Sequence, residues 1–267
     1  MASDLSDEIL ERALLGRFGR YRRVYDSIDS TNLEALRWAA EQGAAEGSLV
    51  VADTQTAGRG RWGRSWLSQP GAGLLFSVVL RPSSVEPGLL TTAGGLAVAR
   101  AIEVTSGLRA TLKWPNDVLI GERKVSGVLV EATSAGHATN AVVLGAGINL
   151  HARREERPAE IAESATSIAQ ELDSAGGGRV PPRAELLGSV LGELEALYAA
   201  LSTNTGRAEL IEEAGVRSSI LGRGVTVRFA DGSSIEGVAA ALAEDGALLL
   251  DDGRTVAAGE IERLRPR

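Results

Sequence analysis

The sequence predicts an α+β fold, a mixed, hairpin-rich β-sheet with helices packed against it and a small all-β unit at the C-terminal end. Three observations carry this reading. Short strand-like runs crowd together between residues 48 and 148, with one long helical stretch among them rather than a regular strand–helix alternation. Helical patterns lie on either side of that segment. From about residue 217 the texture changes to short alternating stretches separated by Asp-Gly pairs at 231–232, 245–246 and 252–253, each a hairpin-turn signal. The 267 residues suit a large domain plus a small one, and 44% hydrophobic content sustains a core.

In chain order, residues 1–20 read as one helix with Leu5, Ile9, Leu14 and Leu15 roughly on one side. Asp29-Ser30-Thr31-Asn32 opens a second helix, LEALRWAAEQ, which stops at Gly43, and Thr31 with Glu34 fits a capping box. Strands are expected at Ser48–Ala52, Leu74–Leu80, Ala110–Trp114, Val118–Ile120, Val125–Ala132 and Ala141–Ile148. A Gly-, Ala- and Leu-rich helix spans about 88–106. Ala175–Gly178, followed by Pro181-Pro182, reads as a mobile loop before a helix ending at Leu201. The expected division is 1–216 and 217–267. The second part holds about five short strands and, being near the lower limit for independent stability, docks on the first.

Composition excludes several classes. The net charge of −7 argues against a general nucleic-acid-binding surface. Without cysteine there is no disulfide framework, thiolate nucleophile or cysteine-ligated metal, and two histidines, His137 and His151, cannot build a multi-histidine site. No apolar run is long enough for a membrane span, and MASDLSDEIL lacks the pattern of a secretory signal, so a cytoplasmic protein is the default expectation. Of 28 basic residues only Lys113 and Lys124 are lysine. Coding bias toward arginine explains the rest. The two exceptions suggest positions where a compact point charge fits and a planar fork does not.

Chemistry concentrates in five segments. GRGRWGRSW, residues 58–66, begins as G-x-G-x-x-G, but no helix follows the third glycine and no acid stands about 20 residues on, so a dinucleotide fingerprint fails. What remains is a flexible loop with three guanidinium groups and no acid in the local sequence, suited to an anion; the alternative is a solvated surface loop. In Lys113-Trp114-Pro115-Asn116-Asp117, proline ends a ladder and exposes Asn116 and Asp117. They are suited to reading a base edge and holding magnesium, or simply to closing a turn. Lys124-Val-Ser-Gly127 starts a strand, with Gly127 permitting close approach and Lys124 alternatively an edge charge. Gly145-Ala-Gly-Ile-Asn149 ends a buried-looking strand, and Ser30-Thr31-Asn32 serves either as a helix cap or as a ligand site at a helix N-terminus.

Together and in this order, these segments, with Gln55-Thr-Ala leading into Gly58, resemble the biotin–protein ligases over roughly residues 25–150. The β-rich tail resembles the family's SH3-like C-terminal domain. The resemblance implies a class II synthetase-like catalytic domain and a two-step reaction. ATP and biotin form biotinyl-5′-AMP and pyrophosphate; a lysine of a biotin carboxyl carrier domain, of acetyl-CoA carboxylase or a related enzyme, then takes the biotinyl group and releases AMP. Such chemistry needs no protein nucleophile, only positioning and charge stabilisation.

By motif position, the resemblance implies that Ser30, Thr31 and Gln55 bind the biotin ureido group, with Asn32 beside them. Arg59, Gly60 and Arg61 belong to a loop closing over biotin and phosphates, and Arg64 and Trp66 complete it on the nucleotide side. Lys124 sits at the biotin carboxylate and α-phosphate with Gly127 nearby, making Lys124, Arg59 and Arg61 the catalytic candidates. Lys113 meets phosphate, Asn116 and Asn149 contact adenine, and Asp117 helps hold Mg2+. Two departures stand out. Only 29 residues precede Ser30, too few for the winged helix of the regulatory members, so DNA binding is not expected. Residues 150–180 contain no aromatic side chain to stack on adenine. Lipoate–protein ligase and a DNA-binding biotin sensor are the disfavoured alternatives. The sequence leaves the oligomeric state open, a homodimer included.

Overall fold

The structure, a computed structural model, describes residues 4–82, 86–132 and 141–263. His137 lies outside the described residues. Among the described residues twelve strands and seven α-helices follow in chain order: α1 Asp7–Ala13, β1 Arg22–Ile28, α2 Thr31–Glu41, β2 Leu49–Gln55, β3 Gly73–Leu80, α3 Pro87–Ser106, β4 Ala110–Lys113, β5 Asp117–Ile120, β6 Arg123–Ala132, β7 Val142–Asn149, α4 Ala159–Ala162, α5 Ile168–Ser174, α6 Arg183–Ala200, α7 Asn204–Val216, β8 Gly224–Arg228, β9 Ser234–Leu242, β10 Leu248–Leu250, β11 Thr255–Val256 and β12 Glu260–Arg263.

Seven strands form one mixed sheet in the order β1-β2-β3-β7-β6-β5-β4, with only β1 and β2 parallel. Both faces of its centre are covered, which is why β3 is buried along its whole length and reads as a continuous apolar run. Leu49, Val51, Val78, Leu80 and Leu144 face the larger core built with α3 and α6, while Val50, Val79 and Val143 face Ala35 and Ala39 of α2. Alternate residues of the same strands thus feed two helical layers.

The tail forms a second, antiparallel sheet ordered β11-β10-β9-β8-β12. Each Asp-Gly pair lies in a turn between successive strands, with Gly232, Gly246 and Gly253 at φ 85°, 83° and 87°. In each, the aspartate accepts the backbone N–H two residues on: Asp231 from Ser233, Asp245 from Ala247, Asp252 from Arg254. That is the Asx closure expected of these residues. The small sheet packs on the larger unit through Trp114, which contributes to its core and donates its indole N–H to the Gly246 carbonyl at 2.9 Å.

Four expectations need correction. Residues 1–20 are not one helix: α1 stops at Ala13, and the chain turns through Gly16 and Gly19, the latter at φ 84° and packed against Leu14, Leu191 and Leu49. Strand β1 was not foreseen, because an edge strand carrying Arg22, Arg23 and Asp26 shows little apolar alternation. Helices α5 and α7 were also missed; α7 opens at Thr203, whose hydroxyl accepts the Gly206 N–H at 3.0 Å. Finally, α2 is capped by Ser30 rather than Thr31, and Glu34 serves Arg23 and Tyr25 instead of a capping box.

Candidate active site

Residues 58–66 fold as a small hairpin rather than an open loop. Trp66 N–H donates to the Gly58 carbonyl at 2.9 Å, Gly60 N–H to the Arg64 carbonyl at 2.7 Å, and Arg59 bridges Ser65. Trp62 occupies the tip at φ 55°, a left-handed conformation unusual for a bulky residue. Gly58 cannot be replaced at the base, since a Cβ there would lie 2.4 Å from the Trp66 carbonyl oxygen.

The expectation that no acid balances the three loop arginines holds only locally in the sequence. Arg59 Nη2 lies 3.0 Å from Glu131 Oε1 on β6. Arg64 grips both oxygens of Glu260 on β12. Arg61 instead donates to the Gly259 carbonyl at 2.9 Å and makes no ion pair among the described residues. Burial holds its pKa below the usual arginine value, opposed by Asp117 and Glu260. Folding therefore neutralises the outer two arginines and leaves Arg61 as the cation without a carboxylate partner.

Beneath the hairpin, Trp66 lies flat on glycine backbone. A Cβ at Gly147 would stand 2.4 Å from its indole ring, and one at Gly127 3.1 Å. Its buried indole nitrogen finds no hydrogen-bond partner among the described residues. Lys124 Nζ is 5.5 Å from the Trp66 ring centroid and 2.6 Å from Asp117 Oδ1. Its backbone is fixed on one side by pairing with Leu119 and on the other by Ser164 and Thr166. Strand β6 lies inside the sheet, so the edge-charge reading of Lys124 is removed.

A deeper polar relay runs beside it. Gln55 Oε1 accepts the Thr31 backbone N–H at 2.7 Å and lies 3.1 Å from the Thr31 hydroxyl. The Ser77 hydroxyl lies 2.8 Å from Thr31 Oγ1 and 2.6 Å from Asn32 Oδ1. An amide oxygen can only accept, so the single Ser77 proton goes to Asn32. Asn32 Nδ2 then donates to Glu131 Oε2 at 2.8 Å. Ser30, Thr31, Asn32 and Ser77 are all buried, and Ser30 accepts the Leu33 N–H as helix cap at 3.5 Å, a long contact. The helix-cap reading thus holds at Ser30, while Ser30, Thr31 and Asn32 also line a small pocket.

These parts open onto one cleft of about 880 Å3, lined by Gln55, the hairpin, Lys113, Asn116, Asp117, Lys124, Gly127, Asn149 and Glu260. A small adjoining pocket is lined by Ser30, Thr31, Asn32, Gln55, Arg59, Trp66, Gly127 and Gly147. Every candidate residue falls in one or the other. Asn116 and Asp117 are half-buried rather than exposed: Asn116 Nδ2 donates to the Val128 carbonyl at 2.9 Å, and Asp117 pairs with Gly127 in the sheet. Asn149 Nδ2 donates to Thr166 at 3.0 Å, leaving each amide its oxygen and one N–H. Where the chain lacks aromatics, Ala152, Pro158, Ile161 and Ala165 line the cleft. Sequence reasoning missed Ser77, Glu131 and Glu260. A lone serine within GLLFSVVL was a usable signal for the first; nothing local marked the acids.

Residues 24–149 match the Biotin/lipoate A/B protein ligase family, and residues 220–264 match the Biotin protein ligase C terminal domain. A Mycobacterium tuberculosis protein named "Biotin--[acetyl-CoA-carboxylase] ligase" is 34% identical, covering 98% of this chain and 96% of its own length. The "Bifunctional ligase/repressor BirA" of Bacillus spizizenii is 38% identical over 159 residues, and this match spans about half, 49%, of that protein. A solved Aquifex aeolicus biotin protein ligase in complex with biotin and ATP superimposes with a TM-score of 0.77 at 31% identity, covering 92% of this chain and 100% of that one. The first match sets the broad class of biotin and lipoate ligases. The tail and the full-length relative narrow it: the chain belongs to the biotin protein ligase family.

Proposed function

We propose that the chain activates biotin with ATP and transfers it to a lysine of a biotin carboxyl carrier domain, as in acetyl-CoA carboxylase or a related enzyme. The observation that carries this reading is the juxtaposition, along one cleft, of a buried polar pocket and a cluster of cations: Arg61, Lys113 and Lys124. A ureido group needs matched donors and acceptors in a dry site, which Ser30, Thr31 and Gln55 supply. A carboxylate approaching a phosphate needs positive charge at the meeting point, which Lys124 and Arg61 supply.

The biotin carboxylate attacks the α-phosphorus, an acyl–phosphate bond forms, and pyrophosphate leaves. The carrier lysine, entering as a neutral amine, then attacks the acyl carbon; an amide forms and AMP leaves. Lys124 and Arg61 balance the anionic charge of the first step, Lys113 holds phosphate, and Asn116 with Asn149 reads adenine through the groups their backbone contacts leave over. Trp66, expected on the nucleotide side, also lines the small pocket with Ser30, Thr31 and Gln55, so here it joins Arg59 in roofing the biotin ring and excluding water from the mixed anhydride. No group of three or more acids and histidines among the described residues could hold a metal alone. Mg2+ characteristically takes one or two carboxylates together with substrate phosphates, which fits Asp117 at the cleft wall; it would neutralise phosphate charge. The test is biotin-dependent exchange of pyrophosphate into ATP, followed by mass analysis of a carrier domain incubated with biotin and ATP. Exchange with lipoate but not biotin overturns the assignment.

A further inference from the structure

Glu131 uses its two oxygens on two different parts of the site. Oε2 accepts from Asn32 Nδ2 at 2.8 Å, at the end of the relay from Gln55 through Thr31 and Ser77. Oε1 faces Arg59 Nη2 at 3.0 Å, in the hairpin above. Glu131 itself is largely buried, its side chain 19% exposed, whereas that of Arg59 is 42% exposed. The carboxylate is therefore fixed from the sheet side, and the arginine is the partner that can let go.

From this we propose that Glu131 is a positioning residue that tethers the Arg59 hairpin to the floor of the biotin pocket. This rests on the biotin-ligase reading of the site. Because the Asn32 amide orients the carboxylate, the tether is aimed from the same hydrogen-bonded relay that would meet the ureido group. With the tether, the hairpin spends less of its time away from the pocket, and a ligand loses less binding energy in ordering it. Arg59 then contributes chiefly by holding the roof, while Arg61 carries the charge toward the ligand anion.

The test uses the full chain with Glu131→Gln, which keeps the shape and one acceptor oxygen for Asn32 but removes the charge and turns an amide NH2, a donor only, toward the Arg59 guanidinium, and Arg59→Ala. Tethering predicts that Glu131→Gln raises the KM for biotin about five- to tenfold, the effect of losing one hydrogen bond to an arginine that is partly screened by solvent, with kcat for pyrophosphate exchange little changed. Since Glu131 acts through Arg59, the double variant should have a KM no higher than Arg59→Ala alone. A second readout does not depend on activity: trypsin should cut within residues 58–66 faster in Glu131→Gln than in the wild type, at unchanged melting temperature. An unaltered biotin KM together with unaltered cleavage overturns the tether, as does a double variant in which the two effects simply add. If the wild type shows no biotin-dependent exchange, the functional reading fails instead, and the cleavage comparison still decides whether Glu131 holds the hairpin.

Discussion

Lys124 Nζ lies 2.6 Å from Asp117 Oδ1 across a β-bulge, where Val118 pairs with Ser126 but Leu119 pairs with Lys124. Val125 is the extra residue, and a bulge at this point re-aims the lysine at the end of the strand. The ion pair holds the ammonium beside the Trp66 ring, half-exposed at the cleft wall.

Lys124→Arg should therefore lower the rate of biotin-dependent pyrophosphate exchange by about a hundredfold or more, although charge is conserved. A guanidinium can take both Asp117 oxygens at once and swing its charge away from the point that Nζ occupies; misplacement of about 1 Å is enough for such a loss. Wild-type exchange in this variant would remove Lys124 from the reaction. Lys113→Arg should be milder, because neutralising phosphate does not require one point.

Two glycines two residues apart should respond differently to alanine. A Cβ at Gly145 would lie 1.9 Å from Asn32 Oδ1, within the buried relay, whereas one at Gly147 would lie 2.4 Å from the Trp66 indole. Gly145→Ala should cost roughly 1–3 kcal/mol of stability, since it breaks a buried hydrogen bond as well as crowding the core. Gly147→Ala displaces a hairpin side chain instead, so it should melt closer to wild type while losing biotin binding and altering tryptophan emission. Thermal melts and fluorescence titration check both; equal melting temperatures for the two variants would refute the distinction.

The main sheet was largely legible because its strands are buried on both faces and stand out as apolar runs, as β3 does. The tail was legible because Asp-Gly imposes its own turn geometry. Strand β1 was not, since its place is fixed by parallel pairing with β2 rather than by alternation of its own. At the site, the Gly-Arg hairpin and the KWPND segment carry their chemistry in adjacent letters. Glu131 and Glu260 do not: their meaning comes from meeting arginines 72 and 196 positions away in the chain. Long-range pairing is what a local pattern omits, and among the described residues it changed the reading of the loop from three free cations to one.

That difference orders the arginines. Arg61→Ala should reduce exchange about a hundredfold, the scale of losing one preorganised charge donor in a cleft. Arg64→Ala, removing a largely exposed guanidinium already balanced by Glu260, should cost about tenfold or less. Steady-state exchange with saturating ATP and biotin measures both, and a larger loss for Arg64→Ala would reverse the assignment.

The Arg64–Glu260 pair also ties the hairpin to the C-terminal sheet, and its pH dependence has a definite sign. Hydrogen bonds from Arg64 are the main reason the Glu260 carboxyl is held below the ordinary glutamate range; burial opposes them, and the charges of Arg64, Lys113 and Arg61 reinforce the lowering. A carboxyl with a depressed folded-state pKa stabilises the fold above its unfolded value, about 4.3. That contribution fades as pH falls through the lower folded value. Glu260→Gln should accordingly melt about 1–3 °C below wild type near neutral pH, the modest effect of a solvent-screened pair in a protein of this size. The gap should narrow as pH drops below about 4 and close once wild-type Glu260 is itself protonated. Melting curves of both proteins from pH 3 to 7 measure it. A gap that widened in acid would mean that the Glu260 carboxylate destabilises the docked tail, and that the Arg64 contact does not hold it.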